Sequence, residues 1–495
     1  MSHPRSSRRR LAAATGAALV TGALLVPAAG TTAAAGTPSA KHLHDDFNGD
    51  GYSDLAVAAP SATVGGKKTA GYVAVVYGSV SGLQTSTKQV FSQNSAGVPG
   101  GAETGDRFGG ALTTADLDKD GYADLVVGVG GEDTADGTDA GLVEVIWGGP
   151  QGLSGGASLA GGKAYDTLGA QGHLAAGDVD GDGAPDVVTV ENAHDLRVLN
   201  GPFARDGSTV HGGQVVRDQF DSRVLDLATG DLNGDGITDV AATENDGDEW
   251  DARRVVHWTG THGGLTAYTL VYDIDGAGLQ GGENLGIGDV NADGYADIVV
   301  GRAVEGYDSD LDTPLAKGGR ITWIPGTSDG PDGVKAVFVN QDSAGVPGVA
   351  EPGDGFGTDV SVADTDGDGY ADIVTGLPGE GFDGVAGAGS AVVLRGAANG
   401  PTGSGAASFS QNTSGVPGTA ETSDRFGGAL HLVDANHDGR AEPAVGAPGE
   451  NSDAGAVWVF KSTGSGITPT GSFTFGSGTL GTVASGARLG SGFSC

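Results

Sequence analysis

One short acidic pattern occurs seven times in this chain, and its residue types and spacing suit the binding of a hard metal ion. Each copy has Asp at position 1, Asp or Asn at position 3, Asp at position 5, Gly at position 6 and a carboxylate at position 9. Alternate side chains of a tightly wound loop surround one point, and a shell of oxygen atoms is what Ca²⁺ requires. Numbered loops 1 to 7 in chain order, the copies contain these predicted ligands: Asp46, Asn48, Asp50 and Asp54; Asp116, Asp118, Asp120 and Asp124; Asp178, Asp180, Asp182 and Asp186; Asp231, Asn233, Asp235 and Asp239; Asp289, Asn291, Asp293 and Asp297; Asp364, Asp366, Asp368 and Asp372; Asp434, Asn436, Asp438 and Glu442.

This pattern differs from the loop of an EF-hand. An EF-hand has a bidentate Glu at position 12 and a helix on each side, whereas position 12 is Val, Thr or Ala in all seven copies. A single Asp-Gly-Asp-Gly sequence is also explained as a turn without metal, but seven copies with the same four ligand positions favour calcium. We expect up to seven structural Ca²⁺ ions, with loop 7 the least regular because His437 and Arg440 lie within it and Glu442 replaces Asp.

The loops belong to a much larger repeating unit. Their first residues are 70, 62, 53, 58, 75 and 70 residues apart, which fits one four-stranded propeller blade per loop. Within each unit the apolar runs are short, rich in Val, Ile and aromatic residues, and bounded by Gly, Asp and Pro, as strands are. The sequence therefore predicts an all-β fold, a seven-bladed β-propeller over residues 45–495, with strands on both sides of every acidic loop.

The two ends of the repeat region predict how the ring closes. Loop 1 lacks the strand that precedes the other loops. Near the carboxy terminus, however, residues 488–493 resemble the beginning of that strand in the units of loops 2 and 7, at residues 107–112 and 425–430. We expect the carboxy-terminal strand to complete the first blade, so that no sheet edge remains open.

The amino terminus has the composition of an export signal. Four arginines lie among the first ten residues, an apolar stretch covers 11–26, and small residues follow up to residue 35. We assign 1–35 to a signal peptide and 36–44 to a short tether, and we predict a secreted, extracellular protein. Residues 7–11 loosely fit a twin-arginine signal, so the export route stays open. The single cysteine, Cys495, excludes an intramolecular disulfide.

The charge of the chain bears on its partners. Its 63 acidic and 26 basic residues give a net charge of −37, and removal of the four signal arginines would change this to about −41 (−37 − 4). Such acidity disfavours nucleic acid and anionic membrane surfaces, and no apolar run outside the signal reaches the roughly 18 residues that span a membrane. The loops hold 24 of the 63 acids, so metal explains part of the charge and a solvated surface explains the rest.

Several short sequences together resemble FG-GAP repeats. Phe-Gly occurs at residues 108 and 426, Gly-Ala-Pro-Gly-Glu begins at Gly446, and variants of it begin at Ala58 and Gly376. FG-GAP repeats form the β-propeller of integrin α subunits and occur in many secreted bacterial proteins. The resemblance implies the same propeller, with calcium in its acidic loops.

The resemblance is uneven along the chain. Units 1, 2, 6 and 7 are close copies of the repeat. In units 3 to 5 the pattern changes, because Val224 replaces Phe-Gly and Glu-Asn replaces Gly-Ala-Pro at residues 191 and 244. The acidic loops of these units are complete, so the change affects the turn geometry rather than the predicted metal ligands.

Consecutive turns of an antiparallel meander lie at opposite ends of its strands. We therefore expect the acidic loops and the Gly-rich turns after the third strands on one face of the ring, and the long segments between units on the other. Three of those segments are near copies that contain Gly-Val-Pro-Gly: 93–106, 341–354 and 411–424. Loops on a rigid scaffold commonly form binding sites, so the face opposite the acidic loops is the predicted ligand-binding face.

The candidates for catalysis are weak. Gly-x-Ser-x-Gly, a hydrolase nucleophile sequence, occurs around Ser154 and Ser328, but both lie in Gly-rich turns between strands rather than between a strand and a helix. The histidines are scattered, without the paired spacing of metal or catalytic sites. We expect no catalytic residue.

The tryptophans fall into two groups. Trp147, Trp258, Trp323 and Trp458 recur in the same strand of different units and are predicted to pack in the core. Trp250 instead lies in an acidic loop, where it is a candidate for ligand contact or for anchoring the loop. The acidic stretch 308–312 is interpreted either as a further cation or basic-partner site or as a solvated loop.

Two functions remain open. The first is a secreted calcium-binding propeller that acts as a binding or adhesion module for a protein or a glycan and is not an enzyme. The alternative is an extracellular polysaccharide-processing enzyme, since some polysaccharide lyases use a calcium-containing propeller. Lyase chemistry needs a basic or phenolic proton acceptor and a cation near the substrate. The sequence has no evident cluster of Lys, Arg, Tyr and His, which favours the binding module.

Overall fold

Strands form at the short apolar runs of the sequence and fold back on one another as antiparallel meanders. The computed structural model describes residues 45–217, 222–245, 247, 253–306, 316–382 and 384–494. Within these residues 27 strands form seven sheets. The sheets are the seven blades of an all-β propeller, as the repeat spacing predicts. We number the blades 1 to 7, each with the acidic loop of the same number.

The strands of the described residues, blade by blade, have the following bounds. Blades 1 to 3 contain β1 (Leu55–Ala59), β2 (Tyr72–Tyr77) and β3 (Gln84–Phe91); β4 (Phe108–Ala115), β5 (Asp124–Val129), β6 (Leu142–Trp147) and β7 (Ser154–Gly161); β8 (Leu174–Gly177), β9 (Asp186–Glu191), β10 (Asp195–Leu199) and β11 (Gly213–Val216). Blades 4 and 5 contain β12 (Arg223–Gly230), β13 (Asp239–Asn245), β14 (Arg253–Trp258) and β15 (Thr269–Leu270); β16 (Asn284–Gly288), β17 (Asp297–Arg302), β18 (Arg320–Ile324) and β19 (Val337–Val339). Blades 6 and 7 contain β20 (Val360–Ala363), β21 (Asp372–Leu377), β22 (Ser390–Arg395) and β23 (Thr402–Phe409); β24 (Ala429–Val433), β25 (Glu442–Ala447), β26 (Ala456–Thr463) and β27 (Gly466–Gly476).

Helical structure is minor in the described residues. It consists of a 3₁₀ turn at Gly333–Lys335 and two single turns, α1 (Glu450–Asp453) and α2 (Ser477–Leu480). Among the helices that the structure describes, none has both the length and the apolar character that a membrane crossing requires. The following predicted features lie outside the described residues: the signal and tether at 1–44, Trp250, the acidic stretch 308–312 and Cys495.

Within each blade, neighbours in sequence are neighbours in the sheet. Blade 6, for example, has the order β20-β21-β22-β23, and all its pairings are antiparallel. The second and third strands have a neighbouring blade on both faces, which is why β5 and β6 are buried at every residue. The last strand of each blade forms its outer edge and is partly exposed, as β3 of blade 1 and β23 of blade 6 are.

The hydrophobic core lies between adjacent blades. One buried cluster joins Phe108 and Leu125 of blade 2 to Val73 of blade 1, and another joins Phe426 of the 6–7 junction to Trp458 of blade 7. The tryptophans predicted to pack are all at most 5% exposed, which confirms that prediction: Trp147, Trp258, Trp323 and Trp458.

The Phe-Gly sequences join blades 2, 6 and 7 to the blade before each of them. The backbone N–H of Phe426 donates to the carbonyl of Ala388 at 2.9 Å, and Phe426 forms a parallel bridge with Gly389 of blade 6. Gly389 has a φ of +87°, and a Cβ at this residue would lie 2.2 Å from the Phe426 carbonyl oxygen. Only glycine fits so close to another backbone. The same close approach is found between Gly71 and Phe108 and between Gly319 and Phe356.

The carboxy-terminal segment closes the ring. Leu489 takes the place that Phe has in the close copies and forms a parallel bridge with Gly455 of blade 7. Further along, Phe493 forms an antiparallel bridge with Val57 of β1, and three backbone hydrogen bonds of 2.8 to 3.2 Å reinforce it. The carboxy-terminal strand therefore completes the first blade, as predicted.

Blade 4 keeps this junction despite its different sequence. Val224 is fully buried, and its N–H donates to the carbonyl of Ala193 at 2.9 Å. Asn192 and Ala193, in the turn where other units have Gly-Ala-Pro, both have positive φ values, +56° and +65°. The turn geometry changes here, as the sequence suggested, while the contact between blades remains.

Candidate metal centres in the acidic loops

The acidic loops lie at the start of the second strand of their blades. In loops 2 to 7 position 9 is the first residue of that strand, as Asp124 is in β5 and Glu442 in β25. Strands rather than helices flank the loops, which confirms the distinction from an EF-hand.

Neighbouring loops are bonded to each other around the ring. The backbone N–H at position 8 of one loop donates to the carbonyl at position 1 of the loop before it. Five such hydrogen bonds of 2.8 to 3.0 Å occur in the described residues: Ala123 to Asp46, Thr238 to Asp178, Ala296 to Asp231, Ala371 to Asp289 and Ala441 to Asp364. The loops thus lie side by side on one face of the propeller, as predicted.

The Asp at position 1 organises each loop. In loop 4, Oδ1 of Asp231 accepts from the backbone N–H groups of Gly234 and Asp235 at 2.7 and 3.1 Å, and Oδ2 accepts from Gly236 at 2.9 Å. Gly236, at position 6, has a φ of +86°, which a residue with a side chain adopts only with strain. The carboxylate and the glycine together wind the loop tightly enough for its side chains to converge.

The carboxylate at position 9 is buried and bonded to backbone. In loop 1, Asp54 is fully buried, and its oxygens accept from Phe47 N–H at 2.9 Å and Gly78 N–H at 2.8 Å. Gly78 directly follows β2, which corresponds to the third strand of the other blades. Asp54 therefore connects the loop to the adjacent Gly-rich turn. Because each carboxylate oxygen has two lone pairs, both oxygens can still bind a cation.

Burial raises the pKa of the position 9 carboxyls in loops 1 to 5 and 7. For Asp54 the pKa rises to about 8, chiefly because the carboxyl is removed from water, and repulsion by Asp46 and Asp50 adds to the rise. The pKa is raised for the same main reason to about 7 in Asp124, Asp186 and Glu442 and to about 6 in Asp239 and Asp297. A bound cation would favour the charged form of every one of them.

Three loops bring their carboxylates together as a metal site requires. In each, one oxygen from positions 1, 3 and 9 lies within 4.8 Å of the other two: Asp116, Asp118 and Asp124; Asp178, Asp180 and Asp186; Asp364, Asp366 and Asp372. These are loops 2, 3 and 6, which have Asp at position 3. The other loops have Asn there: Asn48, Asn233, Asn291 and Asn436.

The Asn-containing loops keep the same backbone arrangement. In loop 1, Asn48 Oδ1 accepts from the Asp50 N–H at 2.9 Å, while its Nδ2 donates to Asp50 Oδ2 at 3.1 Å. In loop 5, Asn291 and Asp293 repeat both contacts. The amide oxygen and the carboxylates supply only hard donors, which fit a divalent ion such as Ca²⁺.

Loop 7 is the irregular copy, as predicted. Asn436 Nδ2 donates to Glu442 Oε1 at 2.6 Å, and Arg440 Nη2 donates to Asp438 Oδ2 at 2.7 Å. The backbone is nevertheless kept, because His437 at position 4 has a φ of +54°, close to the +60° of Lys119 and the +56° of Ala292 at the same position. The longer Glu442 side chain thus reaches an amide within its own loop.

Two arginines that the sequence analysis did not single out contact the carboxylates of loops 2 and 6. Arg205, between β10 and β11 of blade 3, forms ion pairs with Asp118 and Asp120. Arg395, the last residue of β22, forms ion pairs with Asp366 at 2.9 Å and Asp372 at 2.8 Å. Arg395 could have been found by aligning the blades, because it directly precedes the glycine that donates to position 9. Arg205 gives no such signal, because it lies 85 residues from Asp120.

The opposite face holds the three near-copy segments on their blades by a repeated contact. The first glutamine of each segment donates through Nε2 to a glutamate 39 residues later at 2.7 Å: Gln93 to Glu132, Gln341 to Glu380 and Gln411 to Glu450. In blades 6 and 7 that glutamate ends the Gly-Leu-Pro-Gly-Glu or Gly-Ala-Pro-Gly-Glu sequence. The repeat signature therefore anchors the segments predicted to form the binding face.

A channel of about 920 Å³ lies at the centre of the ring, lined by the first strands of the blades. Asp226 Oδ2 accepts from the Leu285 N–H of the next blade at 2.9 Å, and Asp359 Oδ2 accepts from the Leu430 N–H at 2.7 Å. Burial raises the pKa of Asp226 to about 8 and that of Asp359 to about 7. These aspartates bond neighbouring blades together along the channel.

The weak catalytic candidates occupy structural positions. Ser154 begins β7, and Ser328 lies in a turn after β18. His173 is buried and its Nε2 lies 3.1 Å from the Val224 carbonyl, while His431 stacks against Phe493. Within the described residues, neither serine has a histidine as a hydrogen-bond partner.

Family comparisons identify the repeat. A model of the FG-GAP repeat matches residues 44–76, 108–146, 356–394 and 426–460. A model of the FG-GAP-like repeat matches residues 178–242. The first model matches units 1, 2, 6 and 7, which the sequence analysis identified as the close copies.

Similar curated proteins carry the name phosphatidylinositol-glycan-specific phospholipase D. The protein of Rattus norvegicus is 33% identical over 199 residues, which are 38% of this chain and 22% of the relative. That of Mus musculus is 34% identical over 170 residues, 34% of this chain and 18% of the relative. The chain thus spans about a fifth of the length of these relatives.

Among solved structures, this chain is similar to the crystal structure of BBS1N in complex with ARL6DN, soaked with lead. The two share 10% sequence identity and a TM-score of 0.38. The match covers 74% of this chain and 82% of the other.

Proposed function

This chain is an FG-GAP repeat protein, and we propose that its seven-bladed β-propeller is a secreted calcium-binding module that recognises a protein or a glycan and is not an enzyme. The observation that carries the calcium proposal is the convergence of Asp178, Asp180 and Asp186 in loop 3. Three carboxylates so close together repel one another unless a cation lies between them.

The sequence pattern of the other loops offers ligands of the same kind. Positions 1, 3, 5 and 9 would supply side-chain oxygens, and position 7 its backbone carbonyl. Bound Ca²⁺ would supply positive charge that offsets the repulsion within each loop. The loops are bonded to one another around the ring, so ordering one of them supports its neighbours.

The ligand is proposed to bind on the face opposite the acidic loops. The three near-copy segments lie there, held to their blades by the glutamine–glutamate contacts. Anchored loops lose little conformational entropy when a partner binds, which favours affinity. Calcium would act at a distance, by fixing the blades that carry these segments.

The proposal of secretion rests on residues 1–35. Extracellular modules bind calcium with dissociation constants of roughly 0.1 to 1 mM, so a loop site of this kind suits a calcium-rich medium. The intact mass of the protein recovered from the medium of an expressing culture tests the assignment. Loss of the first 35 residues is expected, and retention of the full chain inside the cell would contradict it.

Ligand recognition is tested by matched changes on the two faces. Val349 in the segment 341–354 is 64% exposed, and Val80 beside a Gly-rich turn on the acidic-loop face is 75% exposed. Glycan arrays and candidate extracellular proteins would be screened with the wild type, Val349→Asp and Val80→Asp, each with calcium and with chelator. Calcium-dependent binding that V349D abolishes and V80D retains is expected. The absence of any calcium-dependent ligand, or loss in V80D alone, would contradict the proposal.

The same proteins test the alternative function. An ultraviolet assay for unsaturated products on uronate polymers is expected to detect no turnover, with or without calcium. Turnover that requires calcium and is lost in V349D would replace the binding module by a lyase.

A further inference from the structure

We infer that in loops 2 and 6 an arginine of the protein takes the place of the calcium ion, so that the propeller holds at most five ions instead of seven. The inference rests on the proposed binding of calcium by the remaining loops. It assigns Arg395 and Arg205 a role that neither the repeat pattern nor the family comparisons predict.

In loop 6 the guanidinium of Arg395 already satisfies the central ligands. Its Nη1 lies 2.8 Å from Asp372 Oδ2, 2.9 Å from Asp366 Oδ2 and 3.1 Å from Thr365 Oγ1. Its Nη2 donates to the Ser465 carbonyl at 3.4 Å. The Arg395 side chain is 18% exposed and that of Asp372 is 2% exposed, so water screens these contacts little.

A calcium ion in loop 6 would need the same oxygens. Positions 3 and 9 are two of the side-chain ligands of the predicted shell, and both are bonded to one nitrogen of Arg395. A divalent ion at this point would also be repelled by the fixed guanidinium charge, because arginine stays protonated in proteins. The residues of loop 6 therefore fit an internal cation and do not fit a bound metal.

The position of Arg395 follows from the fold. In blades 1 to 6 a glycine just beyond the third strand donates its N–H to the carboxylate at position 9, as Gly396 does to Asp372 at 3.0 Å. The residue just before it therefore lies beside the loop. In blades 1 to 6 this residue is Tyr77, Trp147, Asn200, Thr259, Pro325 and Arg395, and in blade 7 the residue with the same strand register is Lys461. Only blade 6 has an arginine there.

Loop 2 receives its arginine from the next blade. Arg205 pairs through Nε with Asp118 and through Nη2 with Asp120. Its Nη1 donates to the Gly148 carbonyl at 3.2 Å, and its guanidinium lies 5.3 Å from the centre of the Trp147 ring. The stacking on the aromatic face and the hydrogen bond to the backbone hold the guanidinium against the loop.

Loop 3 provides the contrast within the same chain. It has the same acidic triad as loops 2 and 6, but the residue that corresponds to Arg395 is Asn200, a neutral amide that donates to Asp180 at 2.7 Å. Lys119 reaches only a backbone carbonyl of this loop, that of Gly183 at 2.8 Å, and His211 Nδ1 lies 4.0 Å from Asp182. In the described part of the chain no arginine or lysine pairs with a loop 3 carboxylate.

The test counts bound ions by native mass spectrometry during a calcium titration. Arg395→Gln and Arg205→Gln are each expected to bind one ion more than the wild type, and the double variant two more. Arg197→Gln is the matched control, because Arg197 pairs with Glu191 away from the loops, and its count should equal that of the wild type. An unchanged count in both R395Q and R205Q would overturn the inference.

A second pair of variants works in the opposite direction and does not depend on the stability of the arginine variants. Asp180→Ala and Asp366→Ala remove the same ligand, position 3, from loops 3 and 6; Asn would keep an oxygen there, as in loops 1, 4, 5 and 7. D180A is expected to bind one ion fewer than the wild type, and D366A the same number. A loss in D366A, or seven ions in the wild type, would contradict arginine occupancy but leave calcium binding intact. No ion in any protein would contradict the proposed function as well.

Discussion

The backbone N–H of Ala441 in loop 7 donates to the carbonyl oxygen of Asp364 in loop 6 at 2.8 Å. The same contact joins four further pairs of neighbouring loops, so most of the acidic loops form one hydrogen-bonded series around the ring. In loop 3 the corresponding residue is Pro185, which has no N–H to donate. A proline is therefore compatible with the backbone at this position, although it interrupts the series.

Replacing Ala441 by proline tests the contribution of these contacts. We expect Ala441→Pro to fold, because Pro185 occupies the equivalent position, and to lower the free energy of unfolding by about 1 kcal/mol through loss of one hydrogen bond. Urea unfolding measures the change. Ala441→Ser, which keeps the N–H, is the control, and equal stability of the two variants would show that the contact between loops contributes nothing.

The junction between blades 6 and 7 depends on glycine at residue 389. Gly389 and Gly384 have the same φ of +87°, but a Cβ on Gly389 would meet the backbone of Phe426, whereas nothing lies within 4 Å of one on Gly384. Gly384→Ala should lower the free energy of unfolding by about 1 to 2 kcal/mol, because alanine is strained in a left-handed backbone conformation. Gly389→Ala should lower the free energy of unfolding by about 4 kcal/mol or prevent folding. Similar urea midpoints for the two variants would contradict the close packing of the Phe-Gly junction.

The channel carboxyl of Asp226 predicts a pH dependence of stability. Burial raises its pKa in the folded state to about 8, above the value of about 3.9 in an unfolded chain. The folded state thus binds the Asp226 proton more tightly than the unfolded chain does. The stabilisation that this proton provides is full below about pH 4 and is lost as the pH rises toward 8.

Asp226→Asn should flatten that dependence, because the amide stays neutral at every pH. Thermal melts in saturating calcium between about pH 5 and pH 8 are the measurement, since calcium keeps the loop carboxylates charged. The exposed Asp206 serves for comparison, and Asp206→Asn should follow the wild-type curve. A D226N curve as steep as that of the wild type would contradict the burial of this carboxyl.

The glutamine–glutamate contact should determine local order on the predicted binding face. Gln411→Leu removes the donor to Glu450, and we expect faster hydrogen exchange in the segment 411–424 with little change in the melting temperature. The equivalent segment 341–354, which Gln341 still anchors to Glu380, is an internal reference. Equal exchange in the two segments of Q411L would show that the contact does not hold the segment in place.

The period of the repeat was sufficient to predict the fold. Each blade is stabilised by its neighbours, so one sequence unit specifies one sheet, and seven units specify the ring. Ring closure was also predictable, because Leu489 stands in the sequence context that Phe108 and Phe426 have in other blades. The local pattern of Gly and Asp likewise placed the loops at strand ends.

The charge balance of the loops was not predictable from one repeat. Arg205 reaches Asp118 from another blade, and such a contact depends on how the blades are arranged in space. The bonds between neighbouring loops involve backbone atoms, which leave no trace in residue types. The channel contact of Asp226 with Leu285 is repeated by the equivalent Asp359 and Leu430. Blades 2, 3, 5 and 7 have no Asp at this position, so the repeat pattern does not predict it.

The direct test of the account is a thermal melt of the purified protein in calcium and after exhaustive chelation, with bound metal counted by mass spectrometry in both states. Binding at a hundredfold excess over the dissociation constant stabilises a fold by about 2.7 kcal/mol per site. We therefore predict bound calcium in the first sample and a melting temperature many degrees lower in the second, restored by added calcium. A folded protein without bound calcium, with identical melts in the two conditions, would contradict the account.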